Sequence, residues 1–306
     1  MELNPALAIT KAASKQTYYT IRFLADRERR DDAYRAYGYF RWVDDILDAD
    51  SGTAPVRLAF LERQKLLLES CYRGEWPRDV DYEEQMLVDL INHDQEKNSG
   101  LQAYLRNMME VMDFDTRRRG RLISQAELNE YTRWLAIAVT EALHYFVGHD
   151  GFTPRDETRY LAVYAAHIVH MLRDTVDDTV VGYYNIPREV LEEGAIKPLD
   201  VQSEAYHAWV KSRVKLARKH FEAGKRYFAR VQNLRCRLAG IAYMARFEWL
   251  LDTIEREGYS LRPQYNEKRS LGTGLKMSRL VMSSLNKSGG AGNLSQPIPS
   301  RPISQP

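Results

Sequence analysis

What the 306-residue chain has little of removes several classes of protein at the outset. It has two cysteines, Cys71 and Cys236, too far apart for a metal-ligand pattern. No disulfide partner is therefore expected, and a reduced, cytoplasmic setting is the simplest reading. No uninterrupted apolar run is longer than residues 134–139, far short of the ~20 residues a membrane-spanning helix needs. Insertion into a bilayer is excluded on that ground, while peripheral contact with a membrane stays open. The first residues, Met1-Glu2-Leu3-Asn4-Pro5, have neither the basic nor the apolar region of a signal peptide. Formal net charge is only +2, so no bulk attraction to nucleic acid is expected. No repeat occurs at solenoid spacing, and alternating strand patterns never persist.

What remains is helical. Hydrophobic residues make up 44% and charged residues 28%, the balance of an ordinary globular protein with a sizeable core. Apolar residues recur at helical spacing over 33–47, 82–91, 101–114, 128–147, 158–176, 209–228 and 238–257. Turn-forming clusters at 50–55 and 149–154 divide them, and Thr153 or Thr158 is placed to cap the helix that follows. From Ser283 the chain is rich in Ser, Gly, Pro, Asn and Gln. The expectation is an all-α, single-domain helical bundle over 1–282, large enough to enclose a central cavity, with a disordered tail over 283–306.

Two segments carry chemistry. In Val43-Asp44-Asp45-Ile46-Leu47-Asp48, helical geometry puts Asp44 and Asp48 one turn apart on one face, with Arg41 and Tyr37 extending the stripe backward. In His170-Met171-Leu172-Arg173-Asp174-Thr175-Val176-Asp177-Asp178, the residues His170, Asp174 and Asp178 stack in the same way, with His167 a turn away. Both helices are otherwise apolar and should be buried. Two desolvated carboxylates cost several kcal/mol each unless something offsets them. A Mg²⁺ ion in a wet cavity does so, and it prefers carboxylates supplemented by substrate phosphate oxygens. Facing pairs can thus clamp a diphosphate as it leaves. The cation left behind needs a dry aromatic lining, for which Tyr18, Tyr19, Tyr37, Tyr131 and Phe247 are available.

Taken singly, these features are bland. One Asp-rich run is a solvated helix face, one histidine a satisfied core group, and a few tyrosines ordinary packing. The run Arg117-Arg118-Arg119-Gly120-Arg121 has the composition of a solvated loop. Two carboxylate pairs in two apolar helices are not bland, and they carry the functional reading.

The same residues resemble the squalene/phytoene synthase family of head-to-head isoprenyl diphosphate synthases, over about Ser14 to Arg269. The family's first signature matches Tyr37-Gly38-Tyr39-Phe40-Arg41-Trp42-Val43-Asp44-Asp45-Ile46-Leu47-Asp48. Its second matches His170 through Asp178, followed by Tyr184-Asn185-Ile186-Pro187. A Glu-Leu-x-x-Tyr element matches Glu127-Leu128-Asn129-Glu130-Tyr131, and Leu251-Asp252, Gly258-Tyr259 and Lys268-Arg269 fit the C-terminal elements. The resemblance implies a terpenoid-synthase-like fold with Asp44, Asp48, Asp174 and Asp178 on Mg²⁺. It implies Arg41, Arg173 and Arg269 on diphosphate, Tyr37 and Tyr131 facing the pocket, and Thr17 or Ser14 near phosphate. His167, His170 and Phe247 join the substrate-binding set. The activity implied is condensation of two fifteen- or twenty-carbon isoprenyl diphosphates through a cyclopropylcarbinyl diphosphate. NADPH use stays open, because family members that use it lack a dinucleotide fingerprint too.

The chain departs from the family pattern in several places. His170 and His167 stand where Asn and Gln are usual. Leu135-Ala136-Ile137-Ala138-Val139-Thr140 fills a glycine-bearing helix, with Trp134 before it. Val180-Val181-Gly182-Tyr183 replaces an arginine-rich stretch, and Leu24-Ala25 a Leu-Pro. Added volume in a packed helix takes space from a cavity or a helix contact. A one-substrate terpene synthase or cyclase is therefore the alternative, and a non-catalytic isoprenoid-binding protein a third reading.

Overall fold

The computed structural model describes residues 5–49 and 53–265. The expected tail over 283–306, and the last part of the expected domain from 266, lie outside the described residues. Within them, all regular structure is helical and there is no strand. The N-terminal helices α1 (Pro5–Ala13) and α2 (Lys15–Leu24) lead through a 3-10 turn at Arg27–Arg29 into α3 (Arg30–Asp48). There follow α4 (Ala54–Tyr72), α5 (Tyr82–Asn92), α6 (Gly100–Arg118), α7 (Gln125–Phe146) and α8 (Leu161–Val180). The short α9 (Arg188–Gly194), α10 (Glu204–Ala229) and α11 (Leu234–Arg256) complete the fold.

Most starts are written in the chain. Ser14, Ser99, Ser203 and Asn233 cap α2, α6, α10 and α11 through their side chains, and Ser124 with Glu127 forms a capping box on α7. Helix α8 breaks the pattern. Its cap is Tyr160, which makes no side-chain capping bond, and neither threonine serves. The Thr158 hydroxyl is taken by Asp156, and Thr153 accepts from Arg159. Helix α6 runs to Arg118, past the expected end at 114, so the arginine run begins inside the helix.

Helix α8 lies against α7, α10 and α11. Gly224 on α10 permits the close approach, since a Cβ there would stand 2.7 Å from the Ala162 Cβ. Behind α8 a buried polar network ties its lead-in to three helices. Arg159 donates to Glu141 through Nε (2.7 Å) and Nη2 (2.9 Å), and Nη1 donates to the Tyr227 hydroxyl (3.0 Å). Tyr227 meets His144 Nε2 at 2.8 Å, and His144 Nδ1 lies 3.3 Å from the Cys236 Sγ. Burial pushes His144 down to about 4 and Cys236 up to about 12, so both are neutral. Both cysteines are free and buried.

The buried apolar side chains fall into a main cluster and a smaller one made of Val111, Ile123, Leu128, Tyr131 and Met171. Phe114, Trp134 and Leu135 pack against the smaller cluster. It lies where α6, α7 and α8 converge.

Candidate active site

Helix α3 buries Ala36, Tyr39, Phe40, Val43 and Leu47, which leaves Tyr37, Arg41, Asp44, Asp45 and Asp48 on its remaining face. Arg41 Nη1 donates to Asp44 (3.2 Å), and Nη2 reaches Asp45. Burial and the neighbouring Asp48 push the Asp44 carboxyl up to about 6, against the pull of Arg41. Asp45 and Asp115 add to the rise. The Asp44 side chain still keeps 39% of its accessible surface, so it faces an opening.

The α8 carboxylates have a different setting. Arg173 folds onto Asp174 with Nε at 2.6 Å and with Nη2, which also lies 3.1 Å from His170 Nδ1. Burial works to raise Asp174, but bonding from His170 and Arg173 outweighs it and holds the carboxyl down at about 2. Burial lowers His170 itself, with Asp174 opposing. Asp178 is raised, by burial first and then by Asp174 and Asp115, although Asn185 Nδ2 donates to it at 2.7 Å. Phe247 on α11 places its ring 5.0 Å from His170, closing this face with an aromatic wall.

The two histidines part company. His170 looks toward Arg173 and Phe247. His167 is buried, with Nδ1 3.0 Å from the Thr132 hydroxyl and its ring 4.8 Å from Tyr131. Burial pushes it down to about 3, so it is a neutral packing group that braces α8 against α7.

Helix α6 supplies residues that the sequence reading missed. The Tyr131 hydroxyl donates to Asp115 Oδ2 at 2.8 Å, and Arg118 Nε donates to Asp115 Oδ1 at 2.6 Å. Arg118 Nη1 then donates to Asn185 Oδ1 at 3.1 Å, and Asn185 holds Asp178. The guanidinium lies 5.1 Å from the ring centres of both Tyr131 and Tyr183. The reading of the arginine run as a solvated loop is thus corrected at Arg118, which is 6% exposed and central to the site. A backbone bond from Gly120 N–H to the Gly182 carbonyl (2.7 Å) locks the end of α6 to the end of α8. A signal was present: Asp115 and Arg118 continue the helical face of buried Val111, where a charged pair is out of place.

Other expected residues are placed less centrally. Tyr37 is half-buried on the α3 face, a turn before Arg41. The Thr17 hydroxyl donates to Ser14 Oγ at 2.9 Å, so both candidate hydroxyls sit in the cap of α2. Tyr18 stacks on Tyr34, whereas Tyr19 is 52% exposed. Arg269 lies outside the described residues. Two surface clefts, of about 220 Å³ and 540 Å³, flank α4 and α6, and none of the site carboxylates lines them.

Among the described residues, no three His, Cys, Asp or Glu side chains form a ready-made metal cage. The donor set nonetheless suits Mg²⁺. It consists of hard carboxylate oxygens, and Mg²⁺ characteristically takes only one or two of them, completing its shell with water and phosphate. The surplus negative charge around Asp44 is the charge state that a divalent cation relieves.

Comparison with known proteins identifies the family and the fold. The family model described as squalene/phytoene synthase matches residues 10–276. A presqualene diphosphate synthase from Rhodopseudomonas palustris is 25% identical over 185 residues, which span 60% of this chain and 62% of that protein. A squalene synthase structure from Alicyclobacillus acidocaldarius superposes with a TM-score of 0.67 at 18% identity, covering 84% of this chain and 94% of its own. A dehydrosqualene synthase structure gives a TM-score of 0.70 at 19% identity, covering 92% and 96%. These two establish the same helical fold. With the family match over most of its length, the chain belongs to the squalene/phytoene synthase family.

Proposed function

We propose that the chain catalyses Mg²⁺-dependent head-to-head condensation of two isoprenyl diphosphates, of fifteen or twenty carbons, through a cyclopropylcarbinyl diphosphate. The observation that carries this reading is the convergence of α3, α6 and α8. Asp115 adds to the rise of both Asp44 and Asp178, which supports reading the two carboxylate pairs as one site.

Asp44, Asp48, Asp174 and Asp178 would hold the metal, which supplies charge stabilisation for the departing diphosphate when bound. Arg41 and Arg173 exchange their carboxylate partners for diphosphate oxygens. The positive charge missing from 180–183 is offered from α6, where Arg118 and Arg119 lie 5.1 Å and 6.0 Å from the Tyr183 ring. Tyr131, His170 and Phe247 border the space that a carbocation would occupy, and neutral imidazole and aromatic rings are compatible with it. His167 holds the Tyr131 ring in place. A water-insoluble hydrocarbon product also calls for a lipid surface to receive it.

One observation favours the one-substrate alternative. Trp134 and Leu135 fill the small apolar cluster around Tyr131, where added volume shortens a cavity.

The test is to incubate purified protein with Mg²⁺ and farnesyl or geranylgeranyl diphosphate, with and without NADPH. Diphosphate release and extracted products are then measured by mass spectrometry. A metal-dependent product with a doubled carbon skeleton is expected, and NADPH dependence would separate reductive from proton-loss termination. Single-length terpenes alone would establish the one-substrate reaction instead. No turnover of either substrate would leave only a binding role for these two ligands.

A further inference from the structure

One end of the molecule is stitched together around Asp26, in the turn after α2. Its carboxylate is buried and accepts from the backbone N–H groups of Gly148 (2.8 Å) and His149 (3.0 Å) and from Arg235. Its own N–H donates to the Phe146 carbonyl at 2.8 Å. Arg235 Nη1 also donates to the Leu24 carbonyl at 3.0 Å. Gln232 exchanges two bonds with Phe152, each 3.1 Å. The end of α2, the loop before α8 and the start of α11 thus form one braced surface.

Large apolar side chains on such a frame usually turn inward; here they point out. Phe152 is 67% exposed and Phe23 65%, the two most exposed Phe, Tyr or Trp side chains among the described residues. Tyr19 (52%) and Leu234 (43%) join them, and Tyr19 stacks on Phe23 with ring centres 6.0 Å apart. Residues 15–24 and 230–237 carry Lys15, Arg22, Arg230, Arg235 and Arg237 and no acidic residue. The loop that bears Phe152 adds Arg155 against Asp150, Asp156 and Glu157, so the basic excess lies along α2 and the start of α11. Arg230 and Arg235 are paired with Asp156 and Asp26, while Lys15 and Arg22 are exposed and have no carboxylate partner among the described residues.

We propose that this face docks on an anionic lipid bilayer, with Phe23, Phe152, Tyr19 and Leu234 entering the headgroup boundary beneath a ring of basic side chains. Charge decides between a bilayer and a second copy of the chain. A two-fold self-contact would bring the same basic residues face to face, whereas anionic headgroups attract each of them. The proposal does not rest on the catalytic reading, since it is tested by partitioning alone.

The experiment is co-sedimentation of the full chain with vesicles of phosphatidylcholine, and with vesicles that also contain phosphatidylglycerol. Binding to the anionic vesicles is expected, weakened by added salt. The Phe23→Ser/Phe152→Ser variant should bind about tenfold or more weakly. Lys15→Glu/Arg22→Glu should bind roughly tenfold more weakly, and to the anionic vesicles only. Helix content and thermal midpoint confirm that each variant is folded. Failure of the wild type to bind either vesicle would overturn the proposal, as would unchanged binding by the folded phenylalanine variant. So would a concentration-dependent dimer in sedimentation velocity that the same variant abolishes, because the face would then be a self-interface.

Discussion

Helices α3 and α8 present the same pair of carboxylates at the same spacing, yet their leading carboxyls are shifted in opposite directions. Asp44 is pushed up to about 6, while Asp174 is held down at about 2. The cause is local. On α8 the arginine directly before the carboxylate wraps it with two nitrogens, and His170 stands a turn behind. On α3 a single arginine is divided between Asp44 and Asp45, and Asp48 and Asp115 add negative charge. Spacing sets the direction in which two side chains point, and neighbours set how tightly each holds its proton. Arg173 balances Asp174, whereas Asp178 is raised as Asp44 is, so of the two leading carboxylates Asp44 gains more from a divalent cation.

The largest expected effect tests whether both sides serve one reaction. Asp44→Asn and Asp174→Asn should each lower kcat for diphosphate release by about a thousandfold, the scale of losing a group that stabilises developing charge. Steady-state release assays in saturating Mg²⁺ would show it. A loss confined to one variant would mean that only one helix handles the leaving group, and the shared site would be wrong.

The next effect concerns acid. Helix α8 carries His167, pushed down to about 3, and α3 carries no histidine. A histidine kept neutral in the fold takes up a proton near pH 6.5 once unfolded. Its contribution is therefore complete above pH 6.5 and is lost as pH falls toward the folded value, at about 1.4 kcal/mol per unit. Between pH 7 and 5 that amounts to about 2 kcal/mol for His167. His167→Gln can keep a bond to Thr132 without titrating, so its denaturation midpoint should fall less over this range than that of the wild type. Parallel losses in the two proteins would show that His167 is not held neutral.

Much of this site could be seen in the sequence because its signal is local. Asp44 with Asp48, and Asp174 with Asp178, are each one helical turn apart within apolar helices, and period alone places them. The all-helical class followed from the same periodicity. Asp115 and Arg118 were legible only as a charged pair on the face of Val111, because what gives them meaning lies far along the chain: Tyr131 for one, Asn185 for the other. Nor could spacing separate His167 from His170, three residues apart on one helix, when one meets Thr132 and the other Arg173. Helix α4 was passed over because apolar residues surround it, with Leu66 exposed beside buried Leu67 and Leu68. The threonines before α8 failed as caps because Asp156 and Arg159 compete for their hydroxyls.

The smallest effect is the sharpest test of the contrast, because its sign differs between the helices. Asp44 holds its proton more tightly in the fold than in the unfolded chain, so its ionisation weakens the metal-free protein as pH rises from about 4 to 6. Asp174 does the reverse, contributing stability above about pH 4 that is lost as pH falls toward 2. Both side chains keep contact with solvent, which screens the effect to about 1–2 kcal/mol each. At pH 7 without metal, Asp44→Asn should therefore raise the denaturation midpoint and Asp174→Asn should lower it. Adding Mg²⁺ should cancel the advantage of Asp44→Asn, since the cation relieves in the wild type what the substitution removes. Two midpoints that moved in the same direction would mean that the carboxylates share one environment after all. The asymmetry between α3 and α8 would then be lost, and with it the argument that the metal is needed first at α3.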